Sequence, residues 1–456
     1  MMKNLALAAV LVLSAAPAAA APGDAADAKA LLMRGVGFDT VKGRGRTPAY
    51  AADLKAYLVA AGFAPGDIAI DELHGTANLH LLWRGAGKKP PIALTAHMDV
   101  VEADAKDWTR DPFVAVEDGG YIFGRGVLDN KFDLSMLVAT LARLKSQGFK
   151  PGRDIHLFLS GDEETDGFTA EVQAKAAKAA GVVFMLNTDA GGGGLDEAGR
   201  PSGYQVQAAE KSYADFTMTV TNAGGHSSTP GASNAIAELG AAAAKVAGYR
   251  FAPQINDITR ASLADQAGRR SDAIGGAIKA FLADPSDPAA LAVLRADPGS
   301  IGQIGTTCVP TQVQGGHAPN ALPQRATMNV NCRIFPGISV EDTLLELARL
   351  VGAGVAVTSQ MEWKSTPASP LRPDVMGAIT KAVTARVPGL LPVPGMSAGA
   401  TDSVYYRALG IPSYGAGSLF MKDSDFFAHG LNERVPAAEI APALRHWEII
   451  LKDVAR

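Results

Sequence analysis

Cysteine is almost missing from this chain. Its 456 residues include two, Cys308 and Cys332, and no CxxC pair, which argues against a cysteine-built zinc site and against a catalytic thiol. An excess of either charge sign is missing too: 42 Lys and Arg stand against 46 Asp and Glu, a formal net charge of −4. No basic surplus marks a nucleic-acid partner, and no long acidic block marks a disordered tail. Past the N-terminus, no apolar run approaches the roughly 20 residues that a membrane-spanning helix needs. No internal repeat is visible. The glycine-rich GGGGLDEAGR (191–200) lacks the Lys-Ser/Thr and the strand–loop–helix setting of a phosphate loop.

What is present begins with a leader. MMKN supplies a short positive start, LALAAVLVL a brief apolar stretch and SAAPAAA a small-residue ending, the pattern of a cleaved signal peptide over residues 1–20. Cleavage after Ala20 is expected, since cleavage one residue later would leave Pro22 at the new terminus. A membrane anchor is the other reading, but the apolar stretch is far shorter than a span. The mature chain is therefore expected to be exported and soluble, with no membrane anchor, and periplasmic if the source is Gram-negative. In an oxidising compartment the two cysteines can form one disulfide. A hairpin of 301–313 and 324–335 around Asn320 would bring them together, but that register is open.

At 47% hydrophobic, the chain is long enough for two cores. From about 45 to 200, strand-like and helix-like segments alternate. ANLHLLWRG, PPIALTAHMDV, DIHLFLSG and GVVFMLNTD read as strands, while DLKAYLVAAGF and DLSMLVATLARLKSQG read as helices. The pattern predicts an α/β catalytic domain, its mostly parallel sheet covered by helices on both faces. Near 210 the texture changes: YADFTMTVT, TTCVPTQVQ and RATMNVNCRIF alternate like half-exposed antiparallel strands around two helical stretches. This predicts a smaller inserted α+β lid domain at 210–365, with 21–209 and 366–456 forming the first domain. Within the insert, 255–300 reads as a helical excursion or a loop.

The stretch LFLSGDEETDG (157–167) carries the chemistry. A buried strand ends in Ser-Gly, and Asp162, Glu163 and Glu164 follow at once. Three like charges at the mouth of a sheet repel one another and resist desolvation, so a positive partner is expected. His97 ends PPIALTAHMDV, with Asp99 two residues on and on the same face, where its carboxylate can fix the ring of a ligating histidine. Asp129 lies in GRGVLDNK, Asp189 closes GVVFMLNTD and His429 opens HGLNE. Each alone has a bland explanation as a cap, a turn or a surface residue. Together they point to one place, because parallel strands bring their C-terminal ends to a single edge. Two histidines and three carboxylates suit two Zn²⁺ ions with one carboxylate bridging. Adjacent residues 163 and 164 cannot easily both ligate one ion, which leaves one of them free for proton transfer.

In this order, HMDV, W-x4-PF, GRGVLDNK, GDEETDG, GGHSSTP, PNALP-x9-RIFPG, ATDSVYY and HGLNE resemble the zinc exopeptidase and aminoacylase family. That family includes glutamate carboxypeptidase, carboxypeptidase S and succinyl-diaminopimelate desuccinylase. The resemblance covers essentially the whole mature chain and is nearest to the carboxypeptidase S branch. It implies two Zn²⁺ per subunit, with Co²⁺ or Mn²⁺ as substitutes. His97 and Asp189 would hold one ion, Glu164 and His429 the other, and Asp129 would bridge them. It makes Asp99 the group that orients His97, Glu163 the general base and His226 a lid donor to the oxyanion, with His317 competing. Asn320 and Arg333 would hold the substrate carboxylate, a bidentate role that suits Arg. A homodimer through the lid is also implied, with His226 reaching the partner subunit's site as in several dimeric relatives.

The implied activity is hydrolysis of the amide bond of a small peptide or N-acyl amino acid with a free carboxylate. Loops within 390–430 would set specificity. The alternatives are an aminopeptidase-type dipeptidase and a non-catalytic binding protein, though the latter is hard to reconcile with every expected position being filled. Two departures stand out. Asn130 replaces the second Asp of many relatives, in a peptide that is often cis. Asp189 replaces a Glu of several carboxypeptidases and acylases; Asp occurs there in dipeptidases and in the carboxypeptidase S branch alike, so it does not decide the substrate.

Overall fold

The computed structural model describes residues 22–359 and 364–456, so the leader segment 1–20 lies outside the described residues. Among the described residues, no helix is long and apolar enough to cross a membrane.

Four apolar runs build the centre of a ten-stranded sheet. Strands Arg153–Ser160, Lys89–His97, Met185–Asn187 and Ser413–Gly415 lie side by side and parallel. They read as continuous apolar runs because both faces are covered. Ile92, Leu94, Leu157 and Leu159 point into a core shared with helices Ala25–Val36, Phe132–Ser146 and Ile440–Val454. Their sequence neighbours Ala93 and Phe158 point the other way, to Ala174 and Ala177 of helix Phe168–Ala179 and to Tyr406. The expected α/β layer with helices on both faces is present. Antiparallel strands flank it: Thr76–Trp83 and Ile68–Leu73 on one side, and the hairpin of Gly192–Leu195 with Pro201–Glu210 towards the other. The tetraglycine is thus a strand, and its glycines are demanded by close approach. A Cβ on Gly193 would lie 2.2 Å from the Phe420 ring.

A second sheet has four antiparallel strands in the order Thr307–Gly315, Arg325–Ile334, Ser212–Thr221 and Ala356–Ser359. Its alternation separates two faces. Ala214, Phe216, Met218, Val330 and Cys332 bury against helices Ala235–Gly248 and Val340–Val351. Tyr213, Asp215, Asn329, Asn331 and Arg333 form the polar face; the Asp215 carboxylate accepts from Tyr213 Oη and both asparagines. Cys308 pairs directly with Cys332 in this ladder, and the two are disulfide-bonded, which resolves the register the sequence left open.

Residues 255–300 are helical: Asp257–Arg269, Ala273–Ala283 and Pro288–Ala296, followed by the short Pro298–Ile301. Asn256, Asp272 and Asp287 cap the first three through their side chains, satisfying N–H groups that a helix start leaves unpaired. Leu263, Ile278, Phe281 and Leu294 give this excursion a core of its own.

Candidate metal centre

Three of the candidate residues are delivered by strand ends. His97 is the last residue of its strand, Glu164 follows the strand ending at Ser160, and Asp189 follows the one ending at Asn187. Asp129 and His429 come from loops. Asp129 precedes helix Phe132–Ser146 and is joined to Asn130 by a cis peptide bond, and His429 has a left-handed backbone with φ 61°.

The five meet at one point. His97 Nε2 lies 3.0 Å from Asp129 Oδ1 and 3.4 Å from Asp189 Oδ1. His429 Nε2 lies 2.9 Å from Glu164 Oε1 and 3.3 Å from Asp129 Oδ2. Asp129 therefore turns one oxygen to each histidine. Potential ligand atoms lie within 4.8 Å of one another in the groups His97/Asp129/Asp189 and Asp129/Glu164/His429, and in a third, His97/Glu163/Glu164. Of the two adjacent glutamates, Glu164 is the one grouped with His429.

The charges are unbalanced. Burial, with Asp189 nearby, pushes the Glu163 carboxyl well above the ordinary carboxylate range. Burial likewise raises Asp189 to about 7, against the pull of His97. Asp129 is the exception: burial would raise it, but hydrogen bonds from His429 and His97 win and hold it low. Burial opposes protonation of His97, yet Asp189 and Asp129 raise it; Asp129 and Glu164 raise His429 to about 10. A nitrogen-and-oxygen donor set with one shared carboxylate fits two divalent ions of the zinc, cobalt or manganese type.

Asp99 faces His97 with two groups: its main-chain carbonyl lies 3.1 Å from His97 Nδ1 and its carboxylate 3.6 Å from the same nitrogen. The two carboxylate oxygens also accept the backbone N–H groups of Glu163 and Glu164, at 3.1 and 3.0 Å. The carboxylate thus ties the ring to the glutamate turn.

His226 and Asn320 are not part of this cluster. They lie together in an exposed ladder of Gly225–His226 with Ala321–Leu322, where Ser227 N donates to Asn320 O and Ser228 N donates to His226 Nδ1. His317 is exposed as well. Arg333 lies on the polar face of the smaller sheet, 4.7 Å from the Tyr213 ring centroid, and donates to Ala398 O at 3.3 Å.

Several residues with a part in this architecture carried no separate signal. Lys211 is fully buried; its ammonium donates to Thr307 Oγ1 at 3.4 Å, and burial, then the nearby Arg333, lowers it to about 8. Asp402 of ATDSVYY is buried, accepts from Ser160 Oγ and is raised by burial to about 8. Arg125 and Glu433 form a buried ion pair at 2.6 Å. Each falls inside a motif already noted or beside one, but its task appears only when distant segments meet.

A family model described as Peptidase family M20/M25/M40 matches residues 93–453. The chain is 27% identical over 358 residues to mouse N-fatty-acyl-amino acid synthase/hydrolase PM20D1, covering 76% of this chain and 70% of that protein. It is 27% identical over 387 residues to a probable carboxypeptidase S-like 2 of Dictyostelium discoideum, covering 80% and 72%. Among solved structures, the M20 family metallo-carboxypeptidase Sso-CP2 of Sulfolobus solfataricus matches with TM-score 0.70 at 19% identity, over 94% of this chain and 99% of that one. The Bacillus subtilis YXEP protein, described as a dinuclear metal binding peptidase, matches with TM-score 0.57 at 15% identity, over 95% and 100%.

Proposed function

The chain belongs to peptidase family M20/M25/M40 and is a hydrolase of amide bonds, and from that premise we propose that it cleaves an N-acyl amino acid or short peptide carrying a free carboxylate, with two zinc ions and Glu163 as the base. The observation that carries this reading is Asp129, which offers one oxygen to each of two histidine-containing groups. His97 and Asp189 would hold one ion, Glu164 and His429 the other, with Asp129 between them. Bound there, the metals would lower the pKa of an attacking water and polarise the amide carbonyl.

The chain's own residues supply the rest. Glu163 is buried in an environment that raises its proton affinity, so it is suited to take the proton of the attacking water and return one to the leaving nitrogen. Arg333 pairs with the substrate carboxylate, and Lys211 behind it adds a second cation. Beside Asp129 and Asp189 opens a cavity of about 330 Å³ whose lining includes Leu128, Leu419, Met421 and Phe426. An apolar acyl group or side chain fits there, and the name of the mouse relative supports an acyl substrate. His226 and Asn320 would complete the site from a second copy of the chain. The leader 1–20 would direct export.

The reading is tested by assaying N-acyl amino acids beside the matching free dipeptides, with and without chelator. Chelator-sensitive turnover mainly of the acylated set is expected. Preference for free dipeptides would move the assignment to a dipeptidase.

A further inference from the structure

The two ligand-bearing loops are 308 positions apart at Arg125 and Glu433, and one ion pair fastens them. Its side chains are 3% and 0% exposed. Glu433 Oε2 accepts from Arg125 Nη1 at 2.6 Å and from Gly126 N at 2.9 Å. Glu433 Oε1 accepts from Leu128 N at 2.7 Å and from Asp129 N at 3.0 Å. Arg125 Nη2 reaches the carbonyls of His429 at 3.3 Å, Gly430 at 3.2 Å and Glu102 at 3.4 Å. Trp108 stacks against the guanidinium, 5.1 Å from its ring centroid.

A buried carboxylate can gather donors for stability alone, but these partners are particular. Glu433 bonds the backbone of Asp129 itself, and Arg125 bonds the backbone of His429 itself. His429 sits at φ 61°, a conformation that non-glycine residues seldom adopt, so something must hold it there. Of the other three candidate ligands, His97 closes a strand, while Glu164 and Asp189 follow strand ends and have their own backbone ties, to the Asp99 carboxylate and to Asn187 Oδ1. Asp129 and His429 are loop-borne, and both belong to the group that includes Glu164.

We propose that the Arg125–Glu433 pair is a positioning device for the ion held by Asp129, Glu164 and His429. The pair reaches that ion through two of its ligands, Asp129 and His429, and the ion held by His97, Asp129 and Asp189 through the shared Asp129 alone, so it bears more on the first than on the second. The pair does for the loop-borne ligands what strand ends and backbone ties do for the other three. The proposal rests on the two-metal reading above.

The test is calorimetric titration of chelator-stripped protein with Zn²⁺, and with Co²⁺ followed by its visible spectrum. Wild type is expected to take up two ions. In E433Q the shape is kept, but the amide's NH₂ end cannot accept N–H bonds. The ion held with Glu164 and His429 should then bind about 10- to 100-fold more weakly, the usual cost of losing a partner that orients ligands, and the other ion, which shares only Asp129 with it, should be weakened less. R125K keeps the charge without the fork and should weaken the same ion less; it carries the test if E433Q does not fold. Folded variants that bind both ions with wild-type affinity, or lose both equally, would overturn the positioning role. Wild type that takes up fewer than two ions would overturn the two-metal reading and the proposal with it.

Discussion

The acidic edge of the large sheet is crowded with carboxylates, whereas the polar face of the smaller one sets Lys211 near Arg333, and Arg333 near Asp215. At the edge, Asp129, Glu163, Glu164 and Asp189 crowd around two histidines; burial pushes Glu163 and Asp189 up, the histidines hold Asp129 low, and the neighbouring carboxylates raise both histidines. On the smaller sheet, burial and then the nearby charge of Arg333 lower Lys211 to about 8. Arg407 and Glu210, by contrast, are buried as a matched ion pair at 2.7 Å. Unpaired buried charge is costly; under the proposed function, metal ions would meet the charge at the edge and a substrate carboxylate that at the smaller sheet.

The comparison can be broken most severely at the acidic edge. E163Q should keep its metal content and lose about 10²- to 10⁴-fold in kcat, the range for a missing general base; near-normal turnover would remove Glu163 from that role. H226A should also be poorly active. If His226 serves a partner's site, mixing H226A with E163Q under exchanging conditions should restore part of the activity, because one mixed site carries neither change. No restoration would leave each chain's site self-contained.

A smaller effect is expected on the basic side. R333A should raise KM for carboxylate substrates about 10- to 100-fold, the worth of hydrogen bonds to a charged group, with kcat changed less. K211M should raise KM by a smaller factor, and neither change should matter for substrates whose carboxylate is amidated. An unchanged KM in R333A would make that arginine a structural contact of the Ala398 carbonyl.

The smallest effect concerns histidines outside both regions. Burial lowers His80 and His446 to about 4, and lowers His156, whose Nδ1 lies 2.9 Å from His80 Nε2. A histidine whose folded pKa lies below its unfolded value near 6.5 favours the fold while neutral. Its contribution is complete above pH 6.5 and is lost as pH falls from there towards 4. Thermal melts of metal-free protein should therefore decline across that window, and the decline should be shallower in H80N and H446N. Equal slopes would show that carboxylates govern acid unfolding instead.

Much of this was legible in the chain itself. His97, Glu164 and Asp189 could be placed together because each ends or follows an apolar strand, and strand ends of one parallel sheet share an edge. Asp129 and His429 had no such local signal; order and resemblance supplied them. Spacing and resemblance set the Asp99 carboxylate beside the His97 ring, but neither showed that it also accepts from the turn at 163–164, a contact between segments 64 and 65 positions apart. Lys211, Asp402, Arg125 and Glu433 were passed over for the same reason. The excursion at 255–300 could be read as helical or as a loop because of its Asp and Pro content; Asn256, Asp272 and Asp287 are helix caps, and a cap and a turn use the same residue types.

The account stands most directly on Asp129 as the shared carboxylate. The decisive measurement is zinc stoichiometry of chelator-stripped wild type, H97A, H429A and D129A dialysed against buffered Zn²⁺. Two ions in wild type, one in each histidine variant and weakened binding of both in D129A is the predicted pattern. A D129A protein that keeps both ions at wild-type affinity, or a wild type that holds one, would contradict it.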